Sequence, residues 1–120
     1  MARANETYGV LSKAISYTDT TAITVGYLPA NSHIIDIIVT VGTAFNAGGN
    51  DYIDIGDAST ANKYANDVNV ASTGKASVTV ANVGAIQDAN KPTTIKAVYV
   101  PSGTSPSAGA GYVNIIYVQL

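Results

Sequence analysis

The segment from His33 to Thr43 alternates between apolar and mixed positions along its whole length, and this alternation constrains the fold more than any other feature. Its odd positions form an unbroken apolar row: Ile35, Ile37, Val39 and Val41. A period of two with one wholly apolar side is typical of a strand that packs one of its faces against a core. A helix would instead bring together residues three and four apart. The segment therefore predicts a long strand in a half-buried sheet.

Other segments rich in Val, Ile, Thr and Tyr are separated by Gly, Pro, Asn and Ser, which is the pattern of short strands joined by turns. The strands predicted in addition to 33–43 are 8–17, 21–28, 51–56, 75–81, 94–100 and 111–120. Within 75–81, Val78 and Val80 are expected to point inward. The stretch 101–110 consists of small residues and prolines, and it predicts a loop.

One stretch between Ser59 and Val68 departs from the alternating pattern. Its apolar residues fall at the i, i+3, i+4 and i+7 positions: Ala61, Tyr64, Ala65 and Val68. This spacing predicts one short amphipathic helix, and Asp57 or Ser59 is available as its N-terminal cap.

A chain of 120 residues has the length of a single domain. Seven or eight short strands, one small helix and turns rich in Gly, Pro and Ser predict an all-β fold. The predicted architecture is an antiparallel β-sandwich of the jelly-roll type. An immunoglobulin-like topology is the alternative, although the sequence has neither Cys nor Trp to support it. We expect a flexible N-terminal arm over residues 1–7 and one sandwich domain over residues 8–120.

The last predicted strand, 111–120, is apolar on both faces except at Asn114. Two explanations remain open: the strand is central and covered on both sides, or one of its faces meets another subunit. Tyrosine suits such a contact, because its ring can be buried while its hydroxyl stays wet. The candidate interface residues are Tyr8, Tyr112, Asn114, Ile116, Val118 and Leu120.

Charged residues make up only 12% of the chain, and the formal net charge is −2. The six basic residues are scattered, so they do not form the cluster that nucleic-acid binding requires. The longest apolar-rich stretch is far shorter than the roughly 20 residues of a membrane-spanning helix. The N-terminus lacks the apolar run of a signal peptide, and synthesis in the cytoplasm is expected. Since there is no Cys, disulfides, thiol nucleophiles and Cys-ligated metals are excluded.

The sequence offers little chemistry. His33 is the only histidine, and its place beside a turn is that of an ordinary polar side chain. Asp51, Asp54 and Asp57 form the one acidic grouping. A solvated strand edge with a helix cap is the interpretation we adopt for this grouping, and a bound cation is the alternative. We therefore expect no catalytic, cofactor-binding or metal-binding residues, and we do not expect an enzyme.

Several segments together resemble small virion proteins of tailed bacteriophages. The first is Leu-Pro-Ala-Asn-Ser at 28–32, which leads into the apolar strand and then into Thr-Ala-Phe-Asn at 43–46. The others are Ile-Asp-Ile-Gly at 53–56, Tyr-Val-Pro-Ser-Gly-Thr at 99–104 and Ala-Gly-Ala at 108–110. The resemblance implies a head decoration (cement) protein or a closely related capsid or tail accessory protein.

The resemblance implies a β-rich protein, often a homotrimer, that sits on the capsid exterior and clamps neighbouring major capsid proteins. It implies no cofactor and no catalytic residues, and it places the protein in the virion after synthesis in the host cytoplasm. The N-terminal arm is then a candidate for ordering against a neighbour. The alternative function is a receptor- or carbohydrate-binding jelly-roll module of a phage fibre or tail.

Overall fold

The computed structural model describes residues 7–120, and all regular structure within them is β-strand. Eight strands follow one another along the chain: β1 (Thr7–Ser16), β2 (Ile23–Leu28), β3 (Ser32–Thr43), β4 (Asp51–Gly56), β5 (Ala65–Asn69), β6 (Gly74–Lys75), β7 (Thr93–Pro101) and β8 (Ala110–Gln119). The predicted arm falls on residues 1–6, outside the described residues, and on Thr7, which opens β1. No helix within 7–120 is long and apolar enough to cross a membrane.

The strands form two antiparallel four-stranded sheets that pack face to face, so the predicted antiparallel β-sandwich is confirmed. Sheet I has the strand order β1-β8-β3-β6, and sheet II has the order β2-β7-β4-β5. Each sheet therefore has an interior strand from the C-terminal part of the chain, β8 in sheet I and β7 in sheet II. β8 pairs with β1 on one side and with β3 on the other.

The core lies between the two sheets and is built from the inward positions of both. Sheet I contributes mainly Ile15, Ile34, Ile37, Val39, Val41, Val113 and Ile115, and sheet II contributes mainly Val25, Leu28, Ile53, Ile55, Val68, Ile95, Ala97 and Tyr99. These apolar side chains lose their contact with water when the sheets pack, and this burial is the dominant stabilising term of the fold.

A β-bulge near the start of β3 changes the predicted alternation. The pairing of β3 with β8 shifts between Ile34 and Asp36, and the N–H of Ile37 donates to the Asp36 carboxylate (2.8 Å) at this point. The extra residue lets Ile34 and Ile37, three positions apart, both point into the core. The prediction for Ile35 is therefore wrong, because its side chain is 38% exposed. From Ile37 onward, the apolar row is buried as predicted.

The helix predicted between Ser59 and Val68 is absent, and a second bulge explains why the spacing resembled a helix. Ala65 and Val68 both belong to β5 and both are buried against β4. Between them Asp67 adopts a left-handed backbone (φ 53°), and its N–H donates to the Asp54 carboxylate (2.8 Å). This irregularity places residues three apart on the same side of a strand.

The residues before β5 form a turn held by Asp57. Its carboxylate accepts the N–H groups of Ser59 (3.0 Å) and Thr60 (2.8 Å), and Lys63 lies 3.3 Å from its other oxygen. The expected capping residue thus caps a turn instead of a helix. Partial burial tends to raise the pKa of Asp57, but these hydrogen bonds outweigh it and hold the pKa below its ordinary value.

The strand predicted over 75–81 is also shorter than expected. The β-structure there is limited to β6, which pairs with Thr40 and Val41 of β3. Val78 and Val80 are partly buried and pack against the core, as predicted, although they lie in an irregular segment. The segment leaves the sheet to cross towards sheet II, where the N–H of Ala81 donates to the carbonyl of Tyr64.

Two buried tyrosines tie loops to the sandwich through their hydroxyl groups. The Tyr64 hydroxyl donates to Gln87 (2.7 Å), and the Tyr99 hydroxyl donates to the buried carboxylate of Asp51. Burial raises the pKa of Tyr64 to about 12, and the negative charge of Asp57 adds to this. Burial, then the hydrogen bond to Asp51 and its charge, also raise the pKa of Tyr99.

These tyrosines predict a loss of stability at alkaline pH. In the unfolded chain a tyrosine loses its proton near pH ~10, whereas the folded chain holds both protons to higher pH. The folded state therefore binds more protons above that pH, and the free energy of unfolding falls as the pH rises. Thermal unfolding followed from pH 8 to pH 12 is the measurement. Tyr64→Phe should make the decline shallower, and a decline identical to that of the wild type would contradict this assignment.

Candidate assembly surface

The outer face of sheet I is the most prominent surface feature of the described residues. We define it by the outward positions of β1 (Tyr8, Val10, Ser12, Ala14), β8 (Tyr112, Asn114, Ile116, Val118) and β3 (His33, Asp36, Ile38, Thr40), which the strand registers bring into four rows. The rows are Tyr8–Val118–His33, Val10–Ile116–Asp36, Ser12–Asn114–Ile38 and Ala14–Tyr112–Thr40. Alternation along three paired strands thus concentrates these side chains on one side of the sheet.

Large apolar side chains on this face remain open to solvent. Tyr8 is 67% exposed, Val10 is 59% exposed and Tyr112 is 56% exposed. Ile116 and Ile38 are half-buried between them. Several exposed large apolar side chains on one face are typical of a surface that contacts another macromolecule.

The outer face of sheet II has a different chemistry. It carries Lys96 on β7 and Asp54 on β4, together with two exposed apolar side chains, Tyr27 and Val100. These two opposite charges lie on the interior strands of the sheet. Within the described residues, the outer face of sheet I carries one carboxylate, that of Asp36 on β3, and one ammonium group, that of Lys75 at the β6 edge.

The polar side chains at the centre of the face already have hydrogen-bond partners within the protein. The Ser12 hydroxyl donates to the Asn114 side-chain oxygen (2.7 Å), and the Asn114 amide donates to the Ile38 carbonyl (3.3 Å). Burying a polar group that has lost its partners is costly, whereas one that keeps its hydrogen bonds can be covered at little cost. The face can therefore be covered without leaving Asn114 unpaired.

β1 forms a free edge of sheet I, and this edge is protected against pairing with another strand, whereas the outer face has no comparable protection. β1 is a ten-residue edge strand, and Lys13 projects from it on the side of the sheet that faces the core. An inward-pointing charge on an edge strand discourages pairing with another strand. The face, and not the β1 edge, is thus the part of sheet I suited to contact.

A cavity of about 450 Å³ lies at one end of this face. Its lining includes Ala14, Thr40, Gly42, Ala110 and Tyr112. The small residues form a recess between the larger side chains because they fill little of the space above the strands. The cavity adjoins the outer face of sheet I, and its lining is mixed, because the polar residues Ser16, Asp19 and Thr40 line it as well.

The structure brings together five of the six residues predicted from sequence as interface candidates. Tyr8, Tyr112, Asn114, Ile116 and Val118 share the outer face of sheet I, although Val118 is only 4% exposed. Leu120 lies beyond the end of β8. Its N–H and carbonyl are both hydrogen bonded to Asn31, which ties the last residue to the turn before β3.

Sequence reasoning missed Val10, Ile38 and the cavity. Val10 could have been predicted from the sequence, because it lies two residues from Tyr8 and therefore on the same side of β1. Ile38 could have been predicted as well, since it lies two residues before Thr40 on the mixed side of β3. The cavity had no such signal, because its lining comes from β1, β3 and β8, which are distant in sequence and meet only in the folded sheet.

The acidic residues and His33 are not brought into one site. Asp51 is buried with Tyr99 and the Ala47 N–H, Asp54 binds the β5 bulge, and Asp57 holds its turn. Residues 7–120 bring no three His, Cys, Asp or Glu side chains together in a geometry for a metal ion. His33 is half-buried on the outer face of sheet I, in the same row as Tyr8 and Val118.

Comparison with known proteins identifies a structural neighbour but no family. No protein-family model and no curated protein matches the sequence. Among solved structures, the fold is similar to that of a chain in the cyanophage Pam1 capsid asymmetric unit. The two share 17% sequence identity with a TM-score of 0.76, over 100% of this chain and 90% of that chain. The whole β-sandwich is therefore shared, at an identity that establishes similarity of fold alone.

Proposed function

We propose that this chain is a structural virion protein that decorates and stabilises the exterior of a tailed-phage capsid through contacts with major capsid proteins. The observation that carries the proposal is the weakly charged, apolar outer face of sheet I. The fold likeness to a chain of a cyanophage capsid, over the full length of this chain, is independent support. The sequence resemblance to head decoration proteins points in the same direction.

A decoration protein acts by adhesion, and the chemistry of this chain suits that role. Many modest contacts repeated by symmetry give high overall affinity without any single strong site. Such contacts favour surfaces rich in Tyr and poor in charge. The scattered basic residues and the net charge of −2 support a protein that binds neither nucleic acid nor membrane. We also propose a non-enzymatic role, since His33 lies in a sheet face beside Tyr8 and Val118.

The proposed architecture is a jelly roll. The support for it is the strand pairing, in which β1 pairs with β8, β2 with β7, β3 with β6 and β4 with β5. A ribbon of four such antiparallel pairs, folded so that alternate pairs enter opposite sheets, is the jelly-roll arrangement. The homotrimer, the exterior location and synthesis in the host cytoplasm, which the resemblance implies, remain predictions of the same proposal.

Binding to capsids tests the function directly. Capsids are assembled from the major capsid protein of the same genome without this chain, then mixed with the purified, labelled full-length protein and sedimented. We expect saturable co-sedimentation and a higher melting temperature of the decorated shell. A protein that stays in the supernatant at every concentration would refute the decoration role. Saturable binding to host-cell polysaccharide, with no capsid binding, would establish the receptor-binding alternative.

A further inference from the structure

The cavity at the end of the outer face of sheet I combines a floor of small residues with one charged group. Ala14, Gly42 and Ala110 leave room above the strands, and a Cβ built on Gly42 would have only the Ala110 carbonyl oxygen near it, at 3.9 Å. Asp19, in the segment between β1 and β2, is the one charged residue of the lining among residues 7–120. A volume of about 450 Å³ lies within the range of cavities that hold small ligands, so there is room for one long side chain with a charged end.

The Asp19 carboxylate is held in place by one oxygen and leaves the other without a partner. Its Oδ2 accepts the N–H of Ser16 (2.7 Å) and, at 3.4 Å, the Ser16 hydroxyl. Within residues 7–120, Oδ1 accepts no hydrogen bond, and no basic side chain forms an ion pair with this carboxylate. A group that is already ordered loses little conformational entropy when it binds, so Asp19 is prepared to accept a donor from another molecule.

Lys75, which carries the ammonium group of the outer face, lies too far from Asp19 to neutralise it. Lys75 is on β6 and pairs with Thr40 of β3, whereas Asp19 is hydrogen bonded to the end of β1. In sheet I, β1 and β6 are three strand spacings apart, roughly 14 Å. Exposed charges at such a separation are largely screened by physiological salt. The carboxylate at the cavity therefore attracts a cation from outside the chain.

Tyr112 forms an aromatic wall beside the same floor. Its side chain is 56% exposed, and the strand registers place it between Ala14 and Thr40. The face of such a ring attracts a cation, most often the guanidinium of arginine. A guanidinium also presents its N–H groups in a planar fork that matches a carboxylate, and it is more weakly hydrated than an ammonium group. Asp19 and Tyr112 thus favour the same kind of partner.

An arginine side chain matches the floor of the cavity as well as its polar end. Long basic side chains cover apolar surface with their methylene groups while the charged end keeps its polar partners. The small residues of the floor provide that apolar surface. An apolar side chain would fill the same space but would cover Oδ1 of Asp19 without giving it a donor, and a covered carboxylate oxygen without a donor is costly.

The position of the cavity indicates where the arginine comes from. Ala14 and Tyr112 belong to the fourth row of the outer face of sheet I, so a partner that covers this face also covers the mouth of the cavity. We propose that the cavity receives an arginine side chain of the major capsid protein, with the guanidinium beside Asp19 and over the ring of Tyr112. This inference rests on the proposed function, since it names the group that the capsid places against one part of that face.

A titration with an amino-acid derivative tests the chemistry of the cavity without a capsid. The isotope-labelled full-length protein is titrated with N-acetyl-arginine amide and followed by NMR. We expect saturable shifts of the Gly42, Ala110 and Tyr112 signals, with a Kd of about 1–10 mM for a ligand of this size. N-acetyl-citrulline amide, which has the same shape without the charge, should bind at least ~10-fold more weakly. Asp19→Asn should remove the difference between the two derivatives.

Co-sedimentation with capsids tests the source of the arginine. Asp19→Asn, which keeps an oxygen for the Ser16 N–H, should weaken capsid binding about 10-fold. Gly42→Leu, which fills the cavity, should weaken it at least as much. Asp54→Asn is the matched control, because Asp54 also accepts a backbone N–H (2.8 Å) but lies on sheet II, and it should change binding by less than about 3-fold. Arg3→Gln should leave binding unchanged, because Arg3 is the arginine of this chain and the cavity is assigned to an arginine of the partner.

Three results would overturn the inference while leaving the proposed function intact. They are a citrulline or norleucine derivative that binds as tightly as the arginine derivative, capsid binding that Asp19→Asn leaves unchanged, and a loss with Arg3→Gln as large as that with Asp19→Asn, which would assign the arginine to a neighbouring copy. Because Asp19→Asn keeps the backbone hydrogen bond, the test remains valid even if Gly42→Leu fails to fold. A wild type that does not bind capsids would refute the proposed function and the source of the arginine together, and the titration would still decide whether the cavity selects a guanidinium.

Discussion

Replacing Gly111 by alanine is expected to lower the free energy of unfolding by about 2–4 kcal/mol. Gly111 lies in β8, the interior strand that joins β1 to β3, and it pairs with Ile15 on one side and Val41 on the other. A Cβ at this position would overlap the carbonyl oxygen of Thr40, which belongs to the β3 backbone. The backbone of a paired strand cannot move aside as the end of a side chain can, so β8 and β3 would have to separate.

Gly42→Ala provides the matched control for Gly111→Ala. Gly42 lies in β3 of the same sheet, but the space around its Cβ is open, and its replacement should change stability by ~1 kcal/mol or less in either direction. Urea unfolding followed by circular dichroism measures both variants. If Gly111→Ala proves as stable as Gly42→Ala, the close approach of β8 and β3 described above is wrong.

Ile116→Lys is expected to reduce capsid binding about 100-fold, because it places a long charged side chain at the centre of the surface that becomes covered, where the charge loses its contact with water. Ile116 is half-buried on β8, with Val10 and Asp36 beside it in the same row. The side chain points away from the core, so the substitution leaves the sandwich intact. The loss should appear as weaker binding to capsids, since that binding depends on this face.

Val98→Lys is the control, because Val98 and Ile116 occupy corresponding positions in the two sheets. Val98 is also half-buried and lies on β7, the corresponding interior strand of sheet II, where it is paired with Asp54 as Ile116 is paired with Asp36. Val98→Lys should change capsid binding by less than about 3-fold, as a surface substitution outside the interface does. Co-sedimentation at a series of concentrations gives both affinities. Equal losses, or a greater loss for Val98→Lys, would mean that sheet I is not the contact surface.

The sandwich could be predicted from the sequence because the local alternation of apolar and polar residues marks most of its strands. The long strand over 33–43, the closing strand and the segments between them each show the period of two that a half-buried sheet imposes. Two of the errors fall where a bulge inserts a residue. At Asp67 and at the Ile34–Asp36 step, residues three apart share one side of a strand, and this produced a false helix and misplaced Ile35.

The surface was predictable only in part. Apolar residues on both sides of the last strand left two explanations open, a central strand covered on both sides or a face that meets another subunit. Five of the six residues selected as interface candidates share one face. The strand order was not available from any single segment, because it depends on which distant strands pair. Val10, Ile38 and the cavity beside Gly42 come together only when β1, β8 and β3 lie side by side.

A cryo-electron microscopy map of capsids carrying the full-length protein is the most direct test of the assembly surface. The sandwich is asymmetric enough, with Lys96 and Asp54 on one outer face and Tyr8 and Tyr112 on the other, for its orientation to be assigned. We predict that protein density covers the outer face of sheet I. A map in which that face is turned to solvent, while the outer face of sheet II is covered, would contradict this account.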